Sequence, residues 1–287
     1  MHEDTPDDLV HSLFAETLFP DQTIGREVLG RGDTIEAMRR DEIAGFHAAH
    51  YKAGNIVVAA AGNLDHDRVV EGVASRFPGT AGGDREPRTL TEVRPVAAVR
   101  VLTRPTEQAH VVLGMPGLSR DDPDRYALSV LNHVLGGGMA SRLFQEIRER
   151  RGLAYSVYSY RAAFEDAGMF AVYAGTAPSR VREVLTIVNA ELDRLAAERS
   201  VGAAELDRAK GHFKGQMALS LEGSSARMER VGRSEVTARE ILGVDELVRR
   251  IDAVTPDDLA RVIDRVVVGS PRVLAAIGPI DEDDLGT

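Results

Sequence analysis

Leu9, Leu13 and Leu18 fall roughly on one face of the segment from Asp4 to Phe19, with Thr5 or Asp4 placed to cap it and Pro6 in its first turn. That pattern predicts a helix. After a glycine-punctuated stretch from Gly25 to Gly32, the spacing predicts a second helix from about Asp33 to Tyr51. A β-rich run over Ile56 to Ala61, a Gly62-Asn63 turn and a third helix from about Asp65 to Phe77 follow. From Pro78 to Pro95 the chain gathers Pro, Gly, Thr and charge without periodicity, as an exposed connection between domains does. Beyond it come strand-like runs at Val96 to Leu102 and His110 to Met115, a helix from about Pro123 to Leu135, and a helix from Ala140 to Arg150. Strands at Leu153 to Ala162 and Gly168 to Gly175 lead into mostly helical chain, with a last strand near Arg272 to Ile277. The expected class is α/β (α+β), with mixed sheet flanked by helices.

The chain repeats itself. Residues 39–65 align without a gap on residues 255–281, with identities at Asp41/Asp257, Ala44/Ala260, Val57/Val273, Ala59/Ala275, Ala60/Ala276, Gly62/Gly278 and Asp65/Asp281. Each copy reads as a helix, a short break, a buried strand, then Gly and Asp. Two ordinary helix–strand units that look alike by coincidence are the competing explanation. If the duplication is real, the second copy begins far into its domain and the first begins at residue 39. Equal copies would then leave about 120 residues absent from the front of the first. The expected domains are therefore 1–77, the tail of a first domain; 78–95, a linker; and 96–287, a whole second domain.

Charge and composition narrow the function. Asp and Glu number 45 against 35 Lys and Arg, a net charge of −10, which disfavours a phosphate-backbone partner and hence nucleic acid. There is no cysteine, so disulfides, a thiol nucleophile and Cys-ligated metal are excluded. The longest apolar stretch, Ile56 to Ala61, is far short of a bilayer span, and the acidic start is the opposite of a signal peptide's basic region. The setting expected is cytoplasmic, with no membrane contact.

Three local patterns invite chemistry. Gly136-Gly137-Gly138 precedes a helix, but GGGMASRLF lacks a G-K-[ST] ending, so a tight turn using φ > 0 is expected over a phosphate loop. His47 and His50 share a helix face, yet HAAH has no carboxylate between them, so solvated or packed histidines are expected over a metal. His2, His11, His66, His110, His133 and His212 form no cluster in sequence. In SRLFQEIRERRGLAYSVYS, Arg148 closes a helix, Gly152 stops it and Tyr155 opens a strand, so both side chains can turn toward one crevice. A guanidinium and a phenol aimed at one point suit a developing oxyanion on a peptide carbonyl. A C-terminal helix charge and a half-buried strand tyrosine are the plainer account.

With those residues in view, the chain resembles the pitrilysin or insulinase-type zinc peptidases (inverzincins), closest to the bacterial processing-protease branch similar to mitochondrial processing peptidase. The resemblance is carried by LNHVLGGGMASRLFQEIRERRGLAYSVYSY from Leu131 to Tyr160, and supported by Asp7 to Gly30 and Phe46 to Asp67. It implies duplicated α/β domains around a closed cavity in which unstructured peptides are hydrolysed. It also implies zinc held by H-x-x-E-H plus a distant glutamate. H-x-x-E-H does not occur in this sequence. The resemblance places the zinc residues upstream of Met1, which would then be an internal methionine of a longer protein. This chain is thus expected to bind no zinc and to be inactive alone. Arg148 and Tyr155, seven residues apart, match a pair that in the family reaches across the cavity to bind the substrate carbonyl. The expected partners are a peptide substrate and either a second copy or a zinc-bearing chain. A non-catalytic subunit or scaffold that completes such a chain is the alternative.

Overall fold

In the computed structural model, residues 2–77, 97–237 and 240–286 are described. The elements in chain order are α1 (Pro6–Leu18), α2 (Gly32–Ala37), α3 (Arg40–His50), α4 (His66–Arg76), β1 (Ala98–Thr103), β2 (Ala109–Gly117), α5 (Arg125–Leu135), a π-helix (Phe144–Arg150), β3 (Ala154–Ala163), β4 (Gly168–Thr176), α6 (Val181–Glu198), α7 (Ala203–Ser220), α8 (Ser224–Thr237), α9 (Val244–Asp252), α10 (Pro256–Val266) and β5 (Val273–Gly278). The expected linker at 78–95 lies outside the described residues.

The chain divides into two compact units: residues 1–27, 91–214 and 244–287 form one, and residues 28–90 and 215–243 the other. The larger unit is built on a five-stranded sheet of order β1-β5-β2-β4-β3, with β1 parallel to β5 and every other pair antiparallel. Side chains alternate between its faces with the strand period of two. Val111, Leu113 and Met115 of β2, with Phe170 and Val172 of β4, point into a core closed by α5, α6 and α10. Val112, Met169, Ala171, Val273 and Ala275 point the other way, onto Val10, Phe14, Leu18 and Phe19 in and just after α1. Because both faces are covered, β4 and β5 are buried along their whole length and read as continuous apolar runs. α1, in the expected first-domain tail of 1–77, therefore packs on the sheet of the larger unit. One apolar stripe on α1 and an open sheet face decide where it goes.

In the smaller unit no described residue is buried. Phe46, Val58 and Val70 are all more than half exposed. The single helix expected from Asp33 to Tyr51 is two helices, broken at Met38 and Arg39, where the backbone is extended and the Arg39 N–H donates to the Glu42 carboxylate at 2.8 Å. A carboxylate three residues inside a helix reaches back to cap a new start there.

The internal repeat is visible in these elements. α3 and α10 have the same length and the same alignment offset, and each copy's aspartate accepts a backbone N–H three residues on: Asp65 from Arg68 at 2.9 Å, Asp281 from Asp284 at 3.3 Å. The strands differ. Val273–Gly278 lies hydrogen-bonded between β1 and β2, whereas the expected strand at Ile56 to Ala61 is not a strand. Its Ile56 backbone is extended, but among the described residues no neighbouring strand offers it a ladder, and a strand exists only as one member of a pair.

Candidate functional site

Arg148 and Tyr155 meet. The Arg148 guanidinium carbon lies 4.4 Å from the centroid of the Tyr155 ring and 4.8 Å from that of Phe144. The cation thus lies within cation–π reach of two aromatic faces. Its Nε is 3.8 Å from a Glu149 carboxylate oxygen. Tyr155 is 78% exposed, contrary to the half-buried strand residue of the plainer expectation, and its hydroxyl has no hydrogen-bond partner among the described residues. Stacking occupies the face of a guanidinium, and with the Nε beside Glu149 the terminal N–H groups of Arg148 and the Tyr155 hydroxyl are the ends that can meet a carbonyl oxygen.

Two backbone irregularities create this arrangement. Arg148 sits in the π-helix, where the wider turn shifts each side chain from its ordinary position. Tyr155 falls at a β-bulge: Ala154 pairs with Thr176 and Ser156 with Gly175, so Tyr155 is the extra residue and its side chain is re-aimed. Between them Gly152 has φ +60°, and the Gly152 and Leu153 N–H groups donate to the Arg148 and Ile147 carbonyls, stopping the helix.

The glycine triplet upstream serves packing. None of Gly136, Gly137 and Gly138 has positive φ, so the expected reason for them is corrected. A Cβ on Gly136 would lie 2.3 Å from the Ser159 N of β3, and one on Gly137 2.3 Å from the His133 ring. This turn must pass against a strand and an imidazole. Arg142, just after it, is clamped by Glu205 of α7 through two hydrogen bonds of 2.8 Å, and each partner holds the other ionised: the Arg142 pKa is raised and the Glu205 pKa lowered.

His47 and His50 do not converge on a common point. His47 stacks on Tyr51 and His50 contacts Phe46, both at 4.4 Å. Among the described residues no three His, Asp or Glu side chains are grouped to hold a metal. Other histidines that are scattered in the sequence do find partners. His11 of α1 bonds the Tyr160 hydroxyl at 2.9 Å and the Tyr158 hydroxyl at 3.2 Å, and His110 bonds Tyr173 at 2.9 Å. His133 of α5 meets His212 of α7 at 3.2 Å. No local signal marks these pairs, because each joins residues more than 60 positions apart.

Burial pushes His11, His110 and His133 below the ordinary imidazole pKa, so the native state holds them neutral. A lowered native pKa gives stability that is complete above the unfolded value, about 6.5, and is lost as the pH falls through the native values. The urea midpoint is therefore expected to be level from pH 8 to 7 and to fall between pH 6.5 and 5. This range lies well above that of Asp258, whose carboxyl is held down at about 2 by the Thr255 backbone N–H and Arg261. A midpoint unchanged from pH 7 to 5 would contradict the assignment.

No helix among the described residues is long and apolar enough to cross a membrane. Residues 37–212 match the model of the peptidase M16 inactive domain. An uncharacterized zinc protease of Streptomyces coelicolor is 48% identical over 98% of this chain, and one of Bacillus subtilis is 35% identical over 97%. The chain spans 62% and 67% of those two proteins. Among solved structures, a peptidase M16 inactive domain from Pseudomonas fluorescens superposes with a TM-score of 0.85 at 23% identity, covering 98% of this chain and 67% of that one. A protease from Helicobacter pylori does so with a TM-score of 0.86 at 21% identity, covering 96% and 68%. These two likenesses show the mixed α/β fold, and with the family match and the 48% identical relative they establish that the chain belongs to the M16 family of peptidases, the insulinase-type family its sequence resembles.

Proposed function

We propose that this chain is the substrate-binding portion of a cytoplasmic zinc peptidase of the processing-protease branch, one that hydrolyses unstructured peptides in a closed chamber. The observation that carries the reading is the Arg148–Tyr155 pair, stacked and partly solvent-facing, whose Tyr155 hydroxyl and terminal Arg148 N–H groups have no hydrogen-bond partner among the described residues although the Arg148 Nε lies 3.8 Å from Glu149. In this role the Arg148 N–H edge and the Tyr155 hydroxyl donate to the scissile carbonyl oxygen and stabilise the charge that develops on it. Phe144, whose ring centroid is 4.8 Å from the guanidinium carbon, helps to position it.

Zinc belongs to the relatives' names, and the residues of this chain do not fit it: H-x-x-E-H does not occur, and no three-ligand group exists among the described residues. No step through the metal is assigned to them. The exposed apolar side chains of the smaller unit, Phe46 and Val58 among them, suit burial against further polypeptide. The purified chain is expected to hold no stoichiometric zinc and to leave a quenched fluorescent peptide intact. Zinc-dependent cleavage by this chain alone would overturn that. A zinc-bearing chain that forms a specific heterodimer with it, in place of a longer single chain, would assign it to a separate subunit.

A further inference from the structure

A pocket of about 60 Å3 opens in the larger unit between α5, the turn before the π-helix and the first turns of α7. His133 of α5 and His212 of α7 meet at its wall, 79 positions apart in the chain, with His133 Nε2 and His212 Nδ1 separated by 3.2 Å. The rings stand at 88° with centroids 4.6 Å apart, so they do not stack. Two bonds of about 2.0–2.1 Å, the usual metal–imidazole length, span this separation when they enclose roughly 100°. The facing nitrogens therefore have the bite of a chelating pair, whichever of them holds the proton between them when no metal is bound.

The other groups at the pocket select the metal. Glu205 is the carboxylate that lines it, and Arg142 takes both of its oxygens at 2.8 Å. His and carboxylate ligands that remain free there number two, short of the three protein ligands of a zinc site. Arg208 also lines the pocket and has no carboxylate partner among the described residues. Its uncompensated charge repels a dication twice as strongly as a monocation. The third donor at this wall is sulfur. Met139 lines the same pocket and follows Gly138, whose Cβ would lie 3.7 Å from the His212 ring, so the turn carries the methionine beside that imidazole. Met139 is 76% exposed, and an unbranched side chain with three rotatable bonds is free to turn its thioether to a neighbour. Two neutral imidazoles, a thioether and no free carboxylate suit a soft monovalent ion, Cu(I).

We propose that His133 Nε2, His212 Nδ1 and the Met139 thioether form a three-coordinate site for Cu(I). The proton held between the imidazoles passes through solvent to the far nitrogen of its own ring, so both rings bind neutral and the site gains one positive charge. The assignment does not rest on the peptidase reading.

The test is an anaerobic titration of the full chain with tetrakis(acetonitrile)copper(I) at pH 7, following the His133 and His212 ring signals and the Met139 methyl signal by NMR, which a diamagnetic ion permits. One equivalent is expected to move all three together and saturably, with zinc sulfate at least about tenfold weaker on the same signals. His212→Gln, at an exposed position, and Met139→Leu, which keeps the apolar volume, are each expected to weaken Cu(I) about tenfold or more. Arg208→Gln removes the repelling charge and is expected to leave binding equal or tighter. A Met139 signal that stays still, zinc that saturates at the same concentration as Cu(I), or a His212→Gln chain that binds as tightly as the parent overturns the proposal. Copper that moves only other histidines, such as His47 and His50, overturns it as well.

Discussion

Replacing Arg148 by Ala in the proposed zinc-bearing peptidase is expected to lower kcat/KM on a peptide substrate on the order of a hundredfold, because on that proposal one donor to the developing oxyanion is lost. If the donor acts on the transition state, the fall appears in kcat; a rise in KM alone would make Arg148 a ground-state contact. Tyr155→Phe separates two roles of the tyrosine. It keeps the ring that faces Arg148 at 4.4 Å and removes only the hydroxyl, so its loss is expected to be smaller than that of Tyr155→Ala, which frees the guanidinium as well. For the same reason Arg148→Ala and Tyr155→Ala together are expected to cost less than the product of the single losses, since the two side chains hold each other. An Arg148→Ala enzyme within threefold of the parent would remove the pair from the mechanism.

Phe14→Ala is expected to destabilise the larger unit by about 3–5 kcal/mol, the range for emptying a buried aromatic site. Phe14 is fully buried between α1 and the sheet, and Gly114 of β2 leaves the space its ring fills: a Cβ there would lie 2.6 Å from Phe14 Cζ. Little can collapse into that space, because the strand opposite is itself held on both sides by β4 and β5. Urea unfolding followed by circular dichroism measures the loss. A change under 1 kcal/mol would mean that α1 is not anchored through this ring.

Much of the site was legible because it is local. Arg148, Gly152 and Tyr155 sit within eight residues of one another, and the helix stop between them follows from glycine alone. The π-helix and the bulge that aim the two side chains were not legible. Each is a departure of one residue from a regular pattern, set by what the helix and strand pack against. Phe144 lies in the same motif and carries no signal of its own, since an aromatic at helical spacing reads as core until a cation lies against it.

The long-range pairs were beyond the sequence for a related reason. His11 with Tyr158 and Tyr160, His133 with His212, and Arg142 with Glu205 have no spacing to betray them. They are created by which element docks on which.

The repeat shows most plainly where that limit lies. Local signals place a helix in each copy, where α3 and α10 stand, both capped in their first turn, because a helix satisfies its hydrogen bonds within its own segment; the break at Met38 and Arg39 that starts α3 carries no such signal. The runs that follow them are nearly as alike, yet Val273–Gly278 is a central strand and Ile56 to Ala61 is not. A strand takes its hydrogen bonds from neighbours distant in the chain, and α1 takes its place from whichever face it can cover. Only the tertiary structure supplies those neighbours and that face.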